Sequence, residues 1–314
     1  MRPLALRSWE KGALVERRAA VTAAIVSAAC FGTLAIFGNL MYESGAQPLQ
    51  VLVWRFTSAA LLLGAYVSMR RPGSLSVDRR TLFGFVRLSM LGYGAASLCF
   101  FFALRHADAS VVAILLYTYP ALVVVFEAAR DRVLPGPARL VAVALTFAGC
   151  IFVVDPFAGR LSVEPLGIVL GLGSGLGYAS FSLMSHRLMR THPRGVIMTY
   201  LFGFTAVLAA LAALVTGSSL STSSWDGRAW MLLAGLVLVP TFAAVILYLR
   251  AVQSLGASQA ALLSTFEPVF TLVLAVVVLH ESLSAWQWIG ASLVVLGVIL
   301  AEKTGVATEE PAAP

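Results

Sequence analysis

One acidic residue stands deep inside an apolar stretch. Glu267, followed directly by Pro268, lies about ten residues into the run from Ala257 to Leu279. A carboxyl at the centre of a membrane helix costs about 2.5–3.5 kcal/mol even on the mildest insertion scale, so it marks either a function or a specific partner. The functional chemistries are proton carriage and contact with a substrate, an amine included. The structural ones are a bond to backbone freed by Pro268, or a pair with Arg55, which lies about six residues from the outer end of the second apolar run. Arg55 can equally snorkel outward or touch a substrate. Pro120 and Pro268 each lack an N–H and free the carbonyl four residues earlier, on Leu116 and Ser264. Helices broken at matching places in two halves are the best sequence pointer to a transporter site; a packing kink is the plain alternative. Hydroxyls and rings suited to an amphipathic metabolite stand at Tyr117, Tyr119, Tyr178, Ser180, Ser182 and Tyr248. Singly, each is more often a packing or interhelical contact than a ligand contact. The expected binding or coupling set is Glu267, Tyr119, Tyr178, Ser182, Tyr248 and Arg55, with Pro120 and Pro268 as helix breaks.

These residues need helices to hold them, and composition says where those helices lie. The chain has 314 residues, 59% hydrophobic and only 12% charged. Soluble domains carry roughly 25% charge. This balance excludes a secreted domain, a disordered chain, a nucleic-acid module and an ordinary cytosolic enzyme. Apolar runs long enough to span a bilayer must be helical, because lipid offers the backbone no hydrogen bonds. The runs place ten helices at 19–41, 49–68, 83–103, 109–129, 138–154, 166–185, 195–216, 229–249, 257–279 and 285–302. Turn chemistry separates them, at Glu43-Ser44-Gly45, Arg71-Pro72-Gly73, Pro135-Gly136-Pro137, Asp155-Pro156 and Gly217 to Gly227. The first run is too long for the core of a signal peptide and is expected to stay as a span. Cys30, Cys99 and Cys150 fall inside apolar runs and fit no metal spacing.

The basic residues orient the bundle. With the N-terminus inside, inner segments carry 17 Lys plus Arg and outer loops carry 3. That asymmetry puts both termini in the cytosol and supports an even number of spans. Trp225, Trp230, Trp286 and Trp288 cluster near outer helix ends, as interfacial anchors do. Arg outnumbers Lys 20 to 2, which suggests a GC-rich bacterial genome and hence a plasma (inner) membrane.

The chain also repeats itself. Aligning Ala103–Phe152 with Ala251–Leu300, at an offset of 148, gives 10 identities in 50 positions, including Pro120/Pro268, Ser110/Ser258 and Gly149/Gly297. Tyr119 falls on Glu267, and Gly92 on Pro240. With a two-residue shift, Trp54 and Phe56 fall on Tyr200 and Phe202. Each unit holds five helices, an odd number, so the second inserts upside down. Inverted repeats belong to secondary transporters, with the site near midplane between them. The expected division is a cytosolic segment 1–18, repeats 19–155 and 156–302, and a disordered tail 303–314.

Glu267-Pro268-Val269-Phe270, His280-Glu281-Ser282-Leu283, Trp288-Ile289-Gly290 and Gly297-Val298-Ile299 together resemble the closing signature of EamA-type transporters of the drug/metabolite transporter superfamily. Ala103-Leu104-Arg105, Ala109-Ser110 and Pro120 resemble it again in the first half, and Trp54-Arg55-Phe56 also fits. Val133 departs from the pattern where Glu281 has its match. The resemblance spans residues 20–302. It implies ten helices around a central cavity, walled by the first, third, fourth, sixth, eighth and ninth. It also implies alternating access and traffic in small metabolites, often the export of amino acids or related compounds.

Other features have plainer readings. Gly171 to Gly177 imitates a nucleotide loop but lies inside a span with no strand before it, so close helix packing explains it. Glu127 beside Arg130 and Arg132 reads as an interfacial ion pair, and Glu281 with Ser284 as a cap of the tenth helix. His106, His186, His192 and His280 fall at helix ends and form no zinc-protease motif, so no enzyme is expected. No cofactor, metal or nucleic acid is implied. The expected partners are a small-molecule substrate, protons on one reading of Glu267, and the bilayer; a monomer and a homodimer fit equally. An importer or exchanger is the alternative function, and a non-transporting scaffold or sensor the remote one.

Overall fold

The computed structural model describes residues 4–103, 105–107, 109–155, 164–279 and 283–307. Among them are ten helices long and apolar enough to cross a membrane, and no strand. They are α1 (Val15–Glu43), α2 (Pro48–Arg70), α3 (Arg79–Ala103), α4 (Val111–Asp131), α5 (Pro137–Val154), α6 (Pro165–Leu188), α7 (Arg194–Thr216), α8 (Gly227–Leu255), α9 (Ala257–Leu274) and α10 (Ala285–Lys303). Each lies within a turn or two of the span expected from the apolar runs. Pro48, Pro137 and Pro165 open their helices, where a missing N–H costs nothing. Gly217 closes α7 in the left-handed conformation at φ +67°.

The end of the chain differs from expectation. The last helix runs to Ala307, so residues 303–307 are helical rather than part of a disordered tail. Arg17 braces this end, with Nη1 2.6 Å from Oε1 of Glu302 and Nη2 donating to the Glu302 carbonyl. Residues 308–314 lie outside the described residues, as do His280 and Glu281. Of the expected capping pair, Ser284 does cap α10, reciprocally with Gln287, and its Oγ also donates to Asp155 at 2.5 Å. Trp225 is also not an interfacial anchor. It is buried against Trp54 and Trp230, which pins the 217–226 loop down over α2.

The repeat is written into the backbone. Half-helices Ala109–Leu116 and Ala257–Ser264 start and end 148 residues apart, and so do Tyr119–Asp131 and Glu267–Leu279. Helices α2 and α7 match at 146. For α1 and α6 the match is 147, fixed by a pair of equivalent bonds: Ser27 donates to the Ala244 carbonyl at 2.7 Å, and Ser174 to the Ala96 carbonyl at 3.0 Å. Packing obeys the same exchange. Helix α1 lies on α8 as α6 lies on α3, while α2 with α7 and α5 with α10 pair across the axis. The result is two inverted five-helix units wound into one bundle, with Leu, Val and Ile side chains such as Leu61, Val169 and Leu214 on its outside.

Small residues set the α5–α10 distance. A Cβ on Gly290 would fall 2.4 Å from the Val153 nitrogen, and one on Gly149 2.7 Å from that of Val294. A valine at Gly290 must therefore push two backbones apart. Overpacking of this kind costs about 1–3 kcal/mol. We expect Gly290→Val to lower the melting temperature of the detergent-purified protein, and Trp288→Ala, at an exposed position on the same helix, to leave it nearly unchanged.

Candidate functional site

Four helices are interrupted, in two pairs related by the repeat. Helix α3 passes through a widened π turn at Ser89–Tyr93, and α8 through one at Leu238–Ala243. Gly92 and Pro240, 148 apart, lie in these turns. Gly92 leaves helical geometry (φ −109°, ψ −113°), and a Cβ there would come within 3.1 Å of the Phe181 backbone. Helix α4 breaks after Leu116 and restarts at Tyr119; α9 breaks after Ser264 and restarts at Glu267. These are the positions marked by Pro120 and Pro268. Helix α1 is also interrupted, at Thr33, where its counterpart α6 runs straight through.

At the breaks in α4, α8 and α9, side chains bond carbonyls of the interrupted turns. Thr118 donates to Leu115 at 2.7 Å, and Thr265 to Leu262 at 2.5 Å. The Tyr119 hydroxyl crosses from α4 to the Ala261 carbonyl in α9, at 3.2 Å. At the α8 turn, Thr241 donates to Leu236 at 2.7 Å. The same hydroxyl accepts from Arg55 Nε at 2.5 Å, and Arg55 Nη2 donates to the Pro240 carbonyl at 3.3 Å. Arg55 is 4% exposed, with its guanidinium 4.9 Å from the Phe56 ring.

The breaks surround a cavity of about 410 Å³. Its walls come from the part of the bundle where α1 runs into α2 and α3 into α4, the end opposite the two termini. Glu267, Tyr119, Tyr178 and Arg55 line it, together with Tyr42, Tyr93 and Tyr117. Phe31, Leu34, Phe100, Phe101 and Leu116 supply apolar wall. Tyr178 lies 4.7 Å from Tyr119 and 6.0 Å from Tyr248, centroid to centroid, and Phe181 stacks on Tyr248 at 5.8 Å. This aromatic layer closes the cavity toward the termini.

The expected site residues thus divide. Glu267, Tyr119, Tyr178 and Arg55 come together on the wall. Ser182 and Tyr248 do not line it: both are fully buried, and their hydroxyls bond each other inside the aromatic layer. Pro120 and Pro268 are buried behind Tyr119 and Glu267. Tyr42 and Tyr93 were not singled out from sequence. Tyr93 follows Gly92, whose match with Pro240 was the available signal. The Glu267 carboxyl makes no hydrogen bond or ion pair among the described residues, so neither the Arg55 pair nor a bond to freed backbone forms; only its backbone carbonyl is engaged, by Thr271. As the first residue of its half-helix, it faces the positive end of that helix's dipole. Glu127 does not pair with Arg130, which bonds Asp131.

Ten membrane helices in two inverted units, broken at matched points around one cavity, define a polytopic membrane carrier. A family model, the EamA-like transporter family, matches twice, over residues 18–155 and 165–302, and the chain belongs to that family. It is 26% identical to the uncharacterized transporter YcbK of Bacillus subtilis, over 91% of this chain and 93% of that one. It is 22% identical to the uncharacterized inner membrane transporter YicL of Salmonella typhimurium, over 88% and 92%. A solved crystal structure shares the fold at a TM-score of 0.74 and 22% identity, covering 93% of this chain and 99% of that one. A general transporter role follows from the family.

The bonds of Arg55 make a prediction about stability. Arg55→Leu removes both donors at the α8 turn, and buried hydrogen bonds to charged groups are worth about 1.5–3 kcal/mol. We expect a lower melting temperature for Arg55→Leu and a smaller drop for Thr241→Val, which keeps the Pro240 contact. A full-length Arg55→Leu protein as stable as the wild type would remove the brace assigned to this residue.

Proposed function

We propose that the protein is a secondary transporter exporting amino acids or related amphipathic solutes by alternating access. In this reading it resides in a bacterial plasma membrane with both termini in the cytosol, as the 17-to-3 distribution of basic residues favours. The carrying observation is Glu267, an unpartnered carboxyl at a helix break, on the wall of a cavity between inverted repeats. A volume of about 410 Å³ suits a small metabolite. Apolar walls with several tyrosine hydroxyls suit a solute that is polar at one end only. Glu267 binds either a proton or the amino group of the solute, and this exclusion couples the two flows in opposite directions. An importer or exchanger uses the same cavity with the gradients reversed.

Counterflow into liposomes, with a pooled metabolite mixture read by mass spectrometry, tests this reading. Wild type and Glu267→Gln are compared with and without a pH gradient. We expect at least one amphipathic amine or amino acid to exchange, and the Gln variant to lose its response to the gradient. Exchange that is equally gradient-dependent in both proteins rules Glu267 out as the coupling group. Failure of every solute to move with folded wild-type protein counts against transport itself.

A further inference from the structure

The inverted repeat assigns every residue a partner in the other half, and comparing partners shows how the two ends of the pathway differ. Half-helix Ala257–Ser264 is sealed: none of its side chains is more than 5% exposed. Its counterpart Ala109–Leu116 is open, with Ala113 and Leu116 on the cavity wall. One end is therefore closed and the other open, and exchanging the roles of the halves describes the opposite state.

The exchange carries Tyr248 onto Phe100 at 148 residues, and Tyr178 onto Phe31 at 147. Phe31 and Phe100 line the open cavity, so Tyr248, now buried, is a wall residue of the opposite state. The partners are not chemically alike. At the closed end, Tyr248 and Ser182 join their hydroxyls. At the open end Phe100 stands in place of Tyr248, and the sequence has alanine at the position matched to Ser182.

We infer that the two gates close by different physics: the gate nearer the termini is latched by the Ser182–Tyr248 hydrogen bond, and the other, where Phe100 stands in place of Tyr248, closes without that bond. This rests on the alternating-access reading and adds to it the identity of the latch. A hydrogen-bonded gate can hold itself shut without cargo. An apolar gate gains its closing energy by covering apolar surface, and a solute with an apolar part supplies that surface. The empty carrier thus rests open at the end opposite its termini. Tyr248 and Ser182 set that resting state as positioning residues, and Phe100 favours cargo with apolar surface.

Side-specific labelling tests the latch. Reporter cysteines at Ala113 or Ala261, partners at 148 residues, are placed in protein whose Cys30, Cys99 and Cys150 are replaced by alanine. A membrane-impermeant maleimide is then applied to vesicles of each orientation. In the parent we expect Ala113→Cys to label from the side opposite the termini and Ala261→Cys to stay protected. Removing the latch with Ser182→Ala and Tyr248→Phe should raise Ala261→Cys labelling from the termini side about fivefold, the equilibrium effect of one net hydrogen bond. Building the latch at the other gate, with Ala35→Ser and Phe100→Tyr, should depress Ala113→Cys labelling by a similar factor. Tyr248→Phe alone, the mildest change, covers the case in which a double variant misfolds. Unchanged Ala261→Cys labelling in folded latch-less protein overturns the inference, as does a parent already labelled at Ala261→Cys and protected at Ala113→Cys. The labelling shift without any solute counterflow would keep the latch and sink the transport reading.

Discussion

A carbonyl released inside a membrane has no water to turn to, and this constraint shapes the centre of the protein. Four helices are broken at matched points of the repeat, and side chains supply donors at the breaks in α4, α8 and α9. Thr118 and Thr265 turn back on the preceding turn, Thr241 spans the widened turn of α8, and Tyr119 reaches across to α9. Arg55 comes from a fifth helix to hold Thr241 and Pro240. Several polar groups around the cavity, Arg55, Tyr119 and Ser174 among them, are therefore already engaged. What remains available to a solute is set by subtraction, and the carboxyl of Glu267 is the charged group left over.

That subtraction separates two residues the sequence presents as equals. Glu267 and Arg55 are both ionisable, both inside spans, and opposite in charge, so an ion pair is the natural expectation. The fold instead gives Arg55 neutral partners and an aromatic face, Phe56, while Glu267 stands at a helix start facing the open space. A guanidinium tolerates this because its planar fork can donate to a carbonyl and a hydroxyl together. A carboxylate accepts only, and among the described residues no side chain donates to it.

Much of the architecture was legible in the sequence because membrane constraints are one-dimensional. Run length gave the ten spans, basic residues the alternation, and identities at one offset the repeat. The helix breaks were legible too, since Pro120 and Pro268 match. The π turn of α3 was harder, because glycine permits a distortion without demanding it; only its match with Pro240 pointed there. Which side of each helix meets the cavity was not legible. Tyr93 and Tyr42 line it, while Tyr248 and Ser182, equally plausible by type, are buried together. Rotation about a helix axis depends on neighbours from the other repeat, such as Ala96 and Ala244, which receive the two matched serine bonds.

The repeat explains why such residues mislead a reader of sequence. On the proposed alternating-access mechanism, a residue belongs to the wall in one state and to the seal in the other. Tyr248 has the chemistry of a wall residue and the burial of a seal residue, and its partner Phe100 has the reverse. Position on the pathway is then a property of a state as well as of a residue. Glu267 and Tyr119 escape this because they are each other's partners at the breaks themselves, and exchanging the halves returns the pair to the same place. A pair that maps onto itself, with one carboxyl and one phenol, keeps the same chemistry at the centre of the bundle whichever end is open.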